Sequence, residues 1–369
     1  MVKKFVYGTP FETEAVVKEI PSSEGNPDYG TFSTENGFSF TTKLADDDMV
    51  FGLGEANRGI NKRGFLYISD CADDPNHVES KTSLYAAHNF IIISGKTHVG
   101  FFFDYPGTLR FDIGYTTSDT MTVSCENADL YVYMITGDSD LDIVKQFRGI
   151  IGRSYIAPKF AFGYGQSRWG YKTEDDFRTV VKKYRENHVP LDMVYMDIDY
   201  MQDYKDFTVN EERFPDFEGF VQDMKKEKIH LVPIIDAGVK VEEGYDIYEE
   251  GCEKGYFCRR EDGSYFEATV WPGWTHFPDV LNADARKWFG DKYDVLVSKG
   301  IDAFWNDMNE PSIFYSQEGL ADFKETAKKY VEGDPEVPHY MVGGKLQALA
   351  NNHEDYKRFY HNVNGEQVR

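Results

Sequence analysis

Ile301-Asp302-Ala303-Phe304-Trp305-Asn306-Asp307-Met308-Asn309-Glu310-Pro311 begins as an apolar run and closes on a cluster of polar side chains. Residues 301–305 predict a buried strand. Beyond it Asp307 and Glu310 offer carboxylates, Asn306 and Asn309 offer amides, and Pro311 stops the element. Charged groups at the C-terminal end of a buried strand are where βα barrels hold their reacting groups. A capped strand whose acids face solvent would carry the same residue types, so the stretch is weighed against what precedes it.

Upstream, strand-like and helix-like segments alternate. Residues 160–164 predict a strand, and Thr173 can cap a helix with Glu174, Asp175 and Asp176 in its first turn. Phe177, Val180, Val181 and Tyr184 give that helix one apolar stripe. Strands are expected at 191–198 and 229–235 and helices at 217–226 and 283–299, which makes the opening strand the fourth. Gly- and Trp-rich turns over 238–280 break the rhythm and read as an insertion. Repeated βα units imply parallel strands, hence a barrel or a doubly wound sheet. No GxGxxG follows any strand, so dinucleotide binding has no support and the barrel is preferred.

Residues 1–137 differ in kind. Short apolar or alternating runs at 37–42, 90–95, 99–104 and 130–134 are separated by Gly, Asn and Asp turns, the pattern of a β-sandwich. Within it Asp70-Cys71-Ala72-Asp73-Asp74-Pro75-Asn76 is a polar loop too acidic for a plain hairpin tip. Leu141, Val144, Phe147 and Ile151 fit a helix capped by Asp138 or Ser139, so 138–157 is read as a helical connector ending at Pro158. The expected fold class is therefore all-β followed by α/β: a sandwich, the connector, and barrel units over 158–369.

Composition narrows the chemistry. A net charge of −23 argues against nucleic acid or an anionic membrane as partner, because phosphate contact needs clustered Lys and Arg. No run is long and apolar enough for a membrane helix, and no apolar region follows the basic N-terminus, so a cytoplasmic location is expected. The four cysteines are scattered without metal-ligand spacing, which fits reduced thiols and no zinc site. Aromatic residues reach 16%, and their faces suit sugar rings as well as protein cores.

At the strand ends stand Arg168-Trp169, then Asp197 and Asp199, then Asp236, and finally Asp307 and Glu310. Several carboxylates with an arginine and tryptophans around one mouth suit glycoside hydrolysis, which needs a carboxylate facing an oxocarbenium-like centre and a proton donor for the leaving oxygen. A divalent cation is the competing reading of an Asp cluster, but the interleaved Trp and Met argue against an all-oxygen shell.

Six stretches carry a resemblance to glycoside hydrolase family 31, the α-glucosidase family. They are Phe51-Gly52-Leu53-Gly54-Glu55, Gln166-Ser167-Arg168-Trp169-Gly170-Tyr171, Asp197-Ile198-Asp199-Tyr200-Met201, Arg213-Phe214-Pro215, Val270-Trp271-Pro272-Gly273 and Trp305 to Pro311. Each is weak alone, but six in the family's order, across nearly the whole chain, are specific. The resemblance implies an N-terminal β-sandwich and a (β/α)8 barrel, with Asp307 as nucleophile of a retaining, exo-acting α-glucosidase and Glu310 in support. It further implies Asp197 as the acid that grips the hydroxyls of a terminal glucose, and Ile198, Trp271, Trp305 and Met308 as pocket walls. Trp169 beside Arg168 resembles isomaltase-type members and suggests α-1,6 linkages; Asp73 is expected to reach substrate, and Asp236 and Asp199 to orient it or its neighbours. The implied partner is a small α-glucoside or oligosaccharide, with no cofactor and no metal; homo-oligomerisation stays open.

The sequence departs from the family after Pro311. The proton-donating acid there lies in a later stretch with a Trp-x-Gly-Asp-like motif, which nothing here matches; a helix-like segment 346–360 leads instead into a polar end. Only the first four barrel strands are expected, so the 369-residue chain alone is expected to have little or no hydrolase activity. A catalytically silent sugar-binding fragment, or an α-xylosidase or transglucosylase of the same family, are the alternative readings.

Overall fold

A computed structural model describes residues 1–70, 77–309, 312–331, 361–363 and 366–368. Asp73, Glu310, Pro311 and the segment 346–360 lie outside the described residues. The chain divides into two compact units, Met1–Ile156 and Ala157–Arg369.

The first unit holds β1 (Val2–Tyr7), β2 (Thr31–Ser33), β3 (Phe38–Lys43), β4 (Met49–Gly52), β5 (Phe65–Ser69), β6 (Phe90–Ser94), β7 (His98–Asp104), β8 (Leu109–Ile113), β9 (Thr120–Cys125) and β10 (Leu130–Gly137). They form two antiparallel sheets, ordered β1-β10-β7-β6-β4 and β2-β3-β9-β8-β5. Alternate residues of both sheets share one core: Phe101, Phe103, Ile91, Ile93 and Val132 from the first, Phe38, Phe40, Phe111 and Val123 from the second. Phe40 and Phe101 approach to 4.7 Å between ring centroids. β6, β7 and β10 are apolar on both faces because the reverse face is covered as well. Helix α1 (Asp140–Ile151), capped by Ser139, packs Ile143 and Ile150 against Ile92, Tyr133 and Ile135, and Phe147 stacks on Phe90 at 3.9 Å. Gly100 allows this approach, since a Cβ there would lie 2.6 Å from the Ile143 side chain.

In the second unit β11 (Gly165–Gln166), β12 (Met193–Met196) and β13 (His230–Asp236) are followed by β14 (Val239–Lys240), β15 (Ala268–Val270), β16 (Gly273–His276), β17 (Trp305–Asp307) and β18 (Tyr315–Ser316). β11, β12, β13 and β17 lie side by side, all parallel. Helix α2 (Glu174–Glu186) joins β11 to β12, and α3 (Phe217–Lys226) joins β12 to β13. The expected cap at Thr173 is a full capping box: Asp176 N–H donates to its Oγ1 at 3.3 Å and Asp176 Oδ2 accepts from Thr173 N–H at 2.9 Å. Phe177 and Val181 of α2 and Phe220, Val221 and Met224 of α3 bury against Val194, Met196, Leu231 and Ile234 of the sheet. The inserted region contains α4 (Asp246–Lys254) and a small antiparallel sheet ordered β14-β16-β15-β18. That sheet reaches beyond 280, because Thr269 of β15 pairs with Tyr315.

Three expectations are corrected. Residues 160–164 are not a strand: Pro158 starts a 3-10 turn, with Ala161 N–H on the Pro158 carbonyl at 3.0 Å and Gly163 N–H on that of Phe160 at 2.9 Å. Pairing begins only at Gly165, opposite Met193. The helix expected over 283–299 is split into α5 (Ala283–Asp291) and α6 (Asp294–Val297), because Lys292, Tyr293 and Val295 donate three residues back, tightening the turn between them. Finally, β17 starts at Trp305 rather than 301. Gly300, at φ 103°, and Ile301 close the preceding helix, with N–H bonds to the carbonyls of Val297 (2.9 Å) and Leu296 (3.2 Å). Asp302 is then drawn to His230 Nδ1 at 3.0 Å, leaving three residues to pair with β13.

All five tryptophans belong to the second unit, so their fluorescence reports its unfolding alone. Replacing Thr173 by Ala is expected to lower that unit's stability by about 1 kcal/mol in urea titrations, while Thr173→Ser stays near wild type. Equal losses in both variants would remove the capping box from this account.

Candidate active site

The parallel strands β12, β13 and β17 deliver carboxyls to one edge of their sheet. Asp236 is the last residue of β13 and Asp307 the last of β17, and the two are register partners. Asp197 follows β12 immediately and caps the next 3-10 turn, its Oδ1 accepting from Ile198 N–H at 2.8 Å. Like charges at neighbouring strand ends raise the cost of ionising Asp197 and Asp236. Burial holds the Asp197 carboxyl above the usual range, and Asp199 and Asp307 push it further. Asp236 is pushed up to about 7, first by burial and then by Asp307 and Asp197. Neither of its side-chain oxygens has a hydrogen-bond partner among the described residues. A buried carboxyl without donors, titrating near neutrality beside two other acids, marks a candidate functional site.

Asp199 behaves differently despite its place in the same motif. It is buried, and Arg213 Nη1 donates both to its Oδ1 at 3.2 Å and to its backbone carbonyl at 2.7 Å, with Lys172 Nζ 3.8 Å away. The Arg213-Phe214-Pro215 stretch therefore acts as a clamp on the turn that presents Asp197. Tyr200 adds a second anchor by donating its hydroxyl to the Ile234 carbonyl on β13 at 2.8 Å.

The apolar candidates fall into two groups. Trp169 and Trp271 are largely exposed, 63% and 45%, with ring centroids 6.4 Å apart, and Phe314 meets Trp271 edge-on at 4.9 Å. These are accessible ring faces of the kind that sugars stack on. Ile198 and Met308 are buried, and Trp305 is half-buried against Tyr195 at 6.0 Å. Met308 takes a left-handed φ of 57° immediately after Asp307 and packs among Phe266, Val270 and Ile313. Arg168 is exposed.

Two neighbours were missed from the sequence. Phe314 has no signal beyond being one aromatic among many. Asp206, fully buried, accepts the Asp236 backbone N–H on Oδ1 at 3.0 Å; it sits in an irregular loop where no periodicity points inward. Among the described residues no group of three His, Cys, Asp or Glu side chains is placed to hold a metal ion, and no helix is long and apolar enough to cross a membrane.

Comparison with known proteins fits this geometry. Residues 154–368 match the family model described as the glycosyl hydrolases family 31 TIM-barrel domain, and residues 11–112 match the glycosyl hydrolase 31 N-terminal galactose mutarotase-like domain. The chain is similar to alpha-glucosidase 2 of Bacillus thermoamyloliquefaciens, 37% identical over 74% of this chain and 35% of that protein. It is 26% identical to an alpha-glucosidase of Saccharolobus solfataricus over 97% of this chain and 52% of that protein. Among solved structures, the family 31 dextranase of Flavobacterium johnsoniae shares the fold, with a TM-score of 0.70 and 24% identity over 76% of this chain and 34% of that one. The chain thus spans about half or less of the relatives cited here.

Because the folded state raises the Asp236 carboxyl above its unfolded range, the folded chain holds that proton more tightly. Stability should therefore fall as pH rises from about 4 to about 7. Asp236→Asn should flatten part of that fall and gain, near pH 8, up to about 4 kcal/mol over wild type. Urea titrations of both proteins across this range check it; parallel pH curves would contradict the assigned titration.

Proposed function

The chain belongs to glycoside hydrolase family 31, and from that premise we propose that it contributes the nucleophile side of a retaining, exo-acting α-glucosidase site. The observation that carries the reading is the pairing of Asp307 with Asp236 at the ends of β17 and β13, with Asp197 on the next strand. In this reading Asp307 attacks the anomeric carbon of a terminal α-linked glucose. The bond to the aglycone oxygen breaks, and a β-glucosyl ester forms on the aspartate. Asp197 accepts hydroxyl hydrogens of the same sugar, and two such bonds from one carboxylate sense both position and stereochemistry. Asp236, held half-protonated near neutrality, tempers the charge beside Asp307.

Ile198, Trp305 and Met308 with Trp271 form the sugar's apolar surroundings. The exposed Trp169–Trp271 pair serves the aglycone, with Trp169 favouring α-1,6 linkages as in isomaltase-type members. Glu310 supports the nucleophile. In this reading the parallel strands are the first four of an eight-stranded barrel, and the proton donor for the leaving oxygen is none of the three strand-end acids. The alpha-glucosidase names of two relatives support the activity, while the dextranase supports only the fold.

A good leaving group needs no proton, so an activated donor isolates the role of Asp307 from that of the proton donor. An α-glucosyl fluoride carrying a second, deactivating ring fluorine is expected to lose its anomeric fluoride and leave one fluoroglucosyl mass on the Asp307 peptide of the 369-residue chain, while isomaltose is not turned over. Asp307→Asn should reduce labelling at least about 1,000-fold. A label on another residue, or glucose binding with no label, would replace this reading with a silent sugar-binding one.

A further inference from the structure

Asp206 lies between β12 and β13, in a loop that takes unusual backbone to build. Asp203, Tyr204 and Phe207 all adopt left-handed φ, at 52°, 59° and 61°. Such conformations persist only where surroundings enforce them. Here Thr208 Oγ1 accepts from Gln202 N–H at 2.9 Å and donates to the Lys205 carbonyl at 2.6 Å, and Asn210 N–H donates to the Tyr200 carbonyl at 2.8 Å. Phe207 packs edge-on against Phe289 at 5.0 Å and Tyr293 at 5.3 Å. The loop thereby sinks Asp206, whose side chain is wholly inside the unit.

Inside, Asp206 has few partners. Its Oδ1 accepts from Asp236 N–H at 3.0 Å, and its own carbonyl accepts from the Tyr245 hydroxyl at 2.8 Å. Oδ2 has no partner. The neighbouring lysine is committed elsewhere, with Lys205 Nζ 2.6 Å from Glu242 Oε1. The titratable groups around Asp206 are Asp236 at the end of β13, Tyr200 in the turn after β12, Tyr245 at the start of α4 and Tyr293 between α5 and α6. Three of these are spoken for as donors: Tyr200 to the Ile234 carbonyl, Tyr245 to the Asp206 carbonyl, and Tyr293 to Asn306 Oδ1 at 2.6 Å. An ionised Asp206 would thus be a fully desolvated anion with one backbone donor and no cation, a costly state.

We propose that Asp206 is a positioning residue that stays protonated through the neutral range and, as a carboxylic acid, clamps the tip of β13. Its Oδ1 serves as acceptor for the Asp236 N–H, which places the proton on Oδ2. Among the described residues Oδ2 and both Asp236 side-chain oxygens are buried without a partner, so a proton on Oδ2 spares the pocket a second anion beside Asp236. The acid fixes the backbone of Asp236 without adding a charge beside it, and through register pairing it sets Asp236 beside Asp307. Burial first, then the Asp236 charge, holds the Asp206 carboxyl well above its usual range, in keeping with this assignment. The role concerns the same strand ends as the proposed glycosidase site, but its test needs no turnover, so it stands or falls independently of labelling at Asp307.

The test uses the 369-residue chain with 13C-labelled aspartate side chains. At pH 7 wild type should show two protonated-carboxyl infrared components, one lost in Asp206→Asn and the other, from half-protonated Asp236, lost in Asp236→Asn. Asparagine keeps an acceptor and a neutral donor, so Asp236 should titrate at its wild-type midpoint in that variant. Asp206→Ala leaves the Asp236 N–H without its acceptor, and the Asp236 midpoint should move away from its wild-type value. If the alanine variant does not fold, the asparagine variant decides alone. Protonated-carboxyl intensity unchanged in Asp206→Asn, or an Asp236 midpoint that falls in it as on loss of a negative neighbour, would overturn the proposal.

Discussion

Adjacent parallel strands run about 4.8 Å apart, and Asp236 and Asp307 occupy paired positions at the ends of two of them. Two carboxyls so placed cannot both ionise freely when one is buried, and Asp197 on the next strand adds a third charge. The surrounding structure is arranged around that constraint. Arg213 pairs with Asp199, whose charge still raises the Asp197 carboxyl, and it holds the turn that carries Asp197. Asp206 and the Tyr200 hydroxyl tie the end of β13 from two directions.

These anchors depend on packing further back. The parallel sheet is backed by α2 and α3, whose caps at Thr173 and Asp216 set where each helix begins. α2, α3 and the helix before β17 share one ending. His188, Lys228 and Gly300 each adopt positive φ, and the next residue donates to a carbonyl five positions earlier. The repeated stop returns the chain to the sheet at a defined height, which places Asp197, Asp236 and Asp307 at one edge. The first unit is organised by another rule, aromatic packing between two sheets with a helix over the reverse face of one.

Much of this was legible in the sequence because it rests on local periodicity. α3 spans the expected 217–226, and the cap of α2 follows from Thr173 and the acids behind it. The strand-end acids Asp197, Asp236 and Asp307 could be named because each follows an apolar run, and the structure brings them to one edge. Boundaries decided by tertiary contacts were less visible. Ile301 is as apolar as a strand residue but serves the Gly300 helix stop, and 160–164 is aromatic yet turned by Pro158. Asp199 resembles Asp197 in sequence, and only the Arg213 contact separates their roles. Asp206 was invisible because burial in an irregular loop leaves no periodic trace.

The account turns on the three strand-end carboxyls behaving as one electrostatic unit. The most direct measurement is the titration of Asp236 by side-chain carbonyl 13C resonance in the wild-type chain and in Asp307→Asn. A wild-type midpoint at about 7 that falls once the Asp307 charge is removed is the predicted result. A midpoint unmoved by the substitution, or one in the ordinary carboxylate range in both proteins, would contradict it.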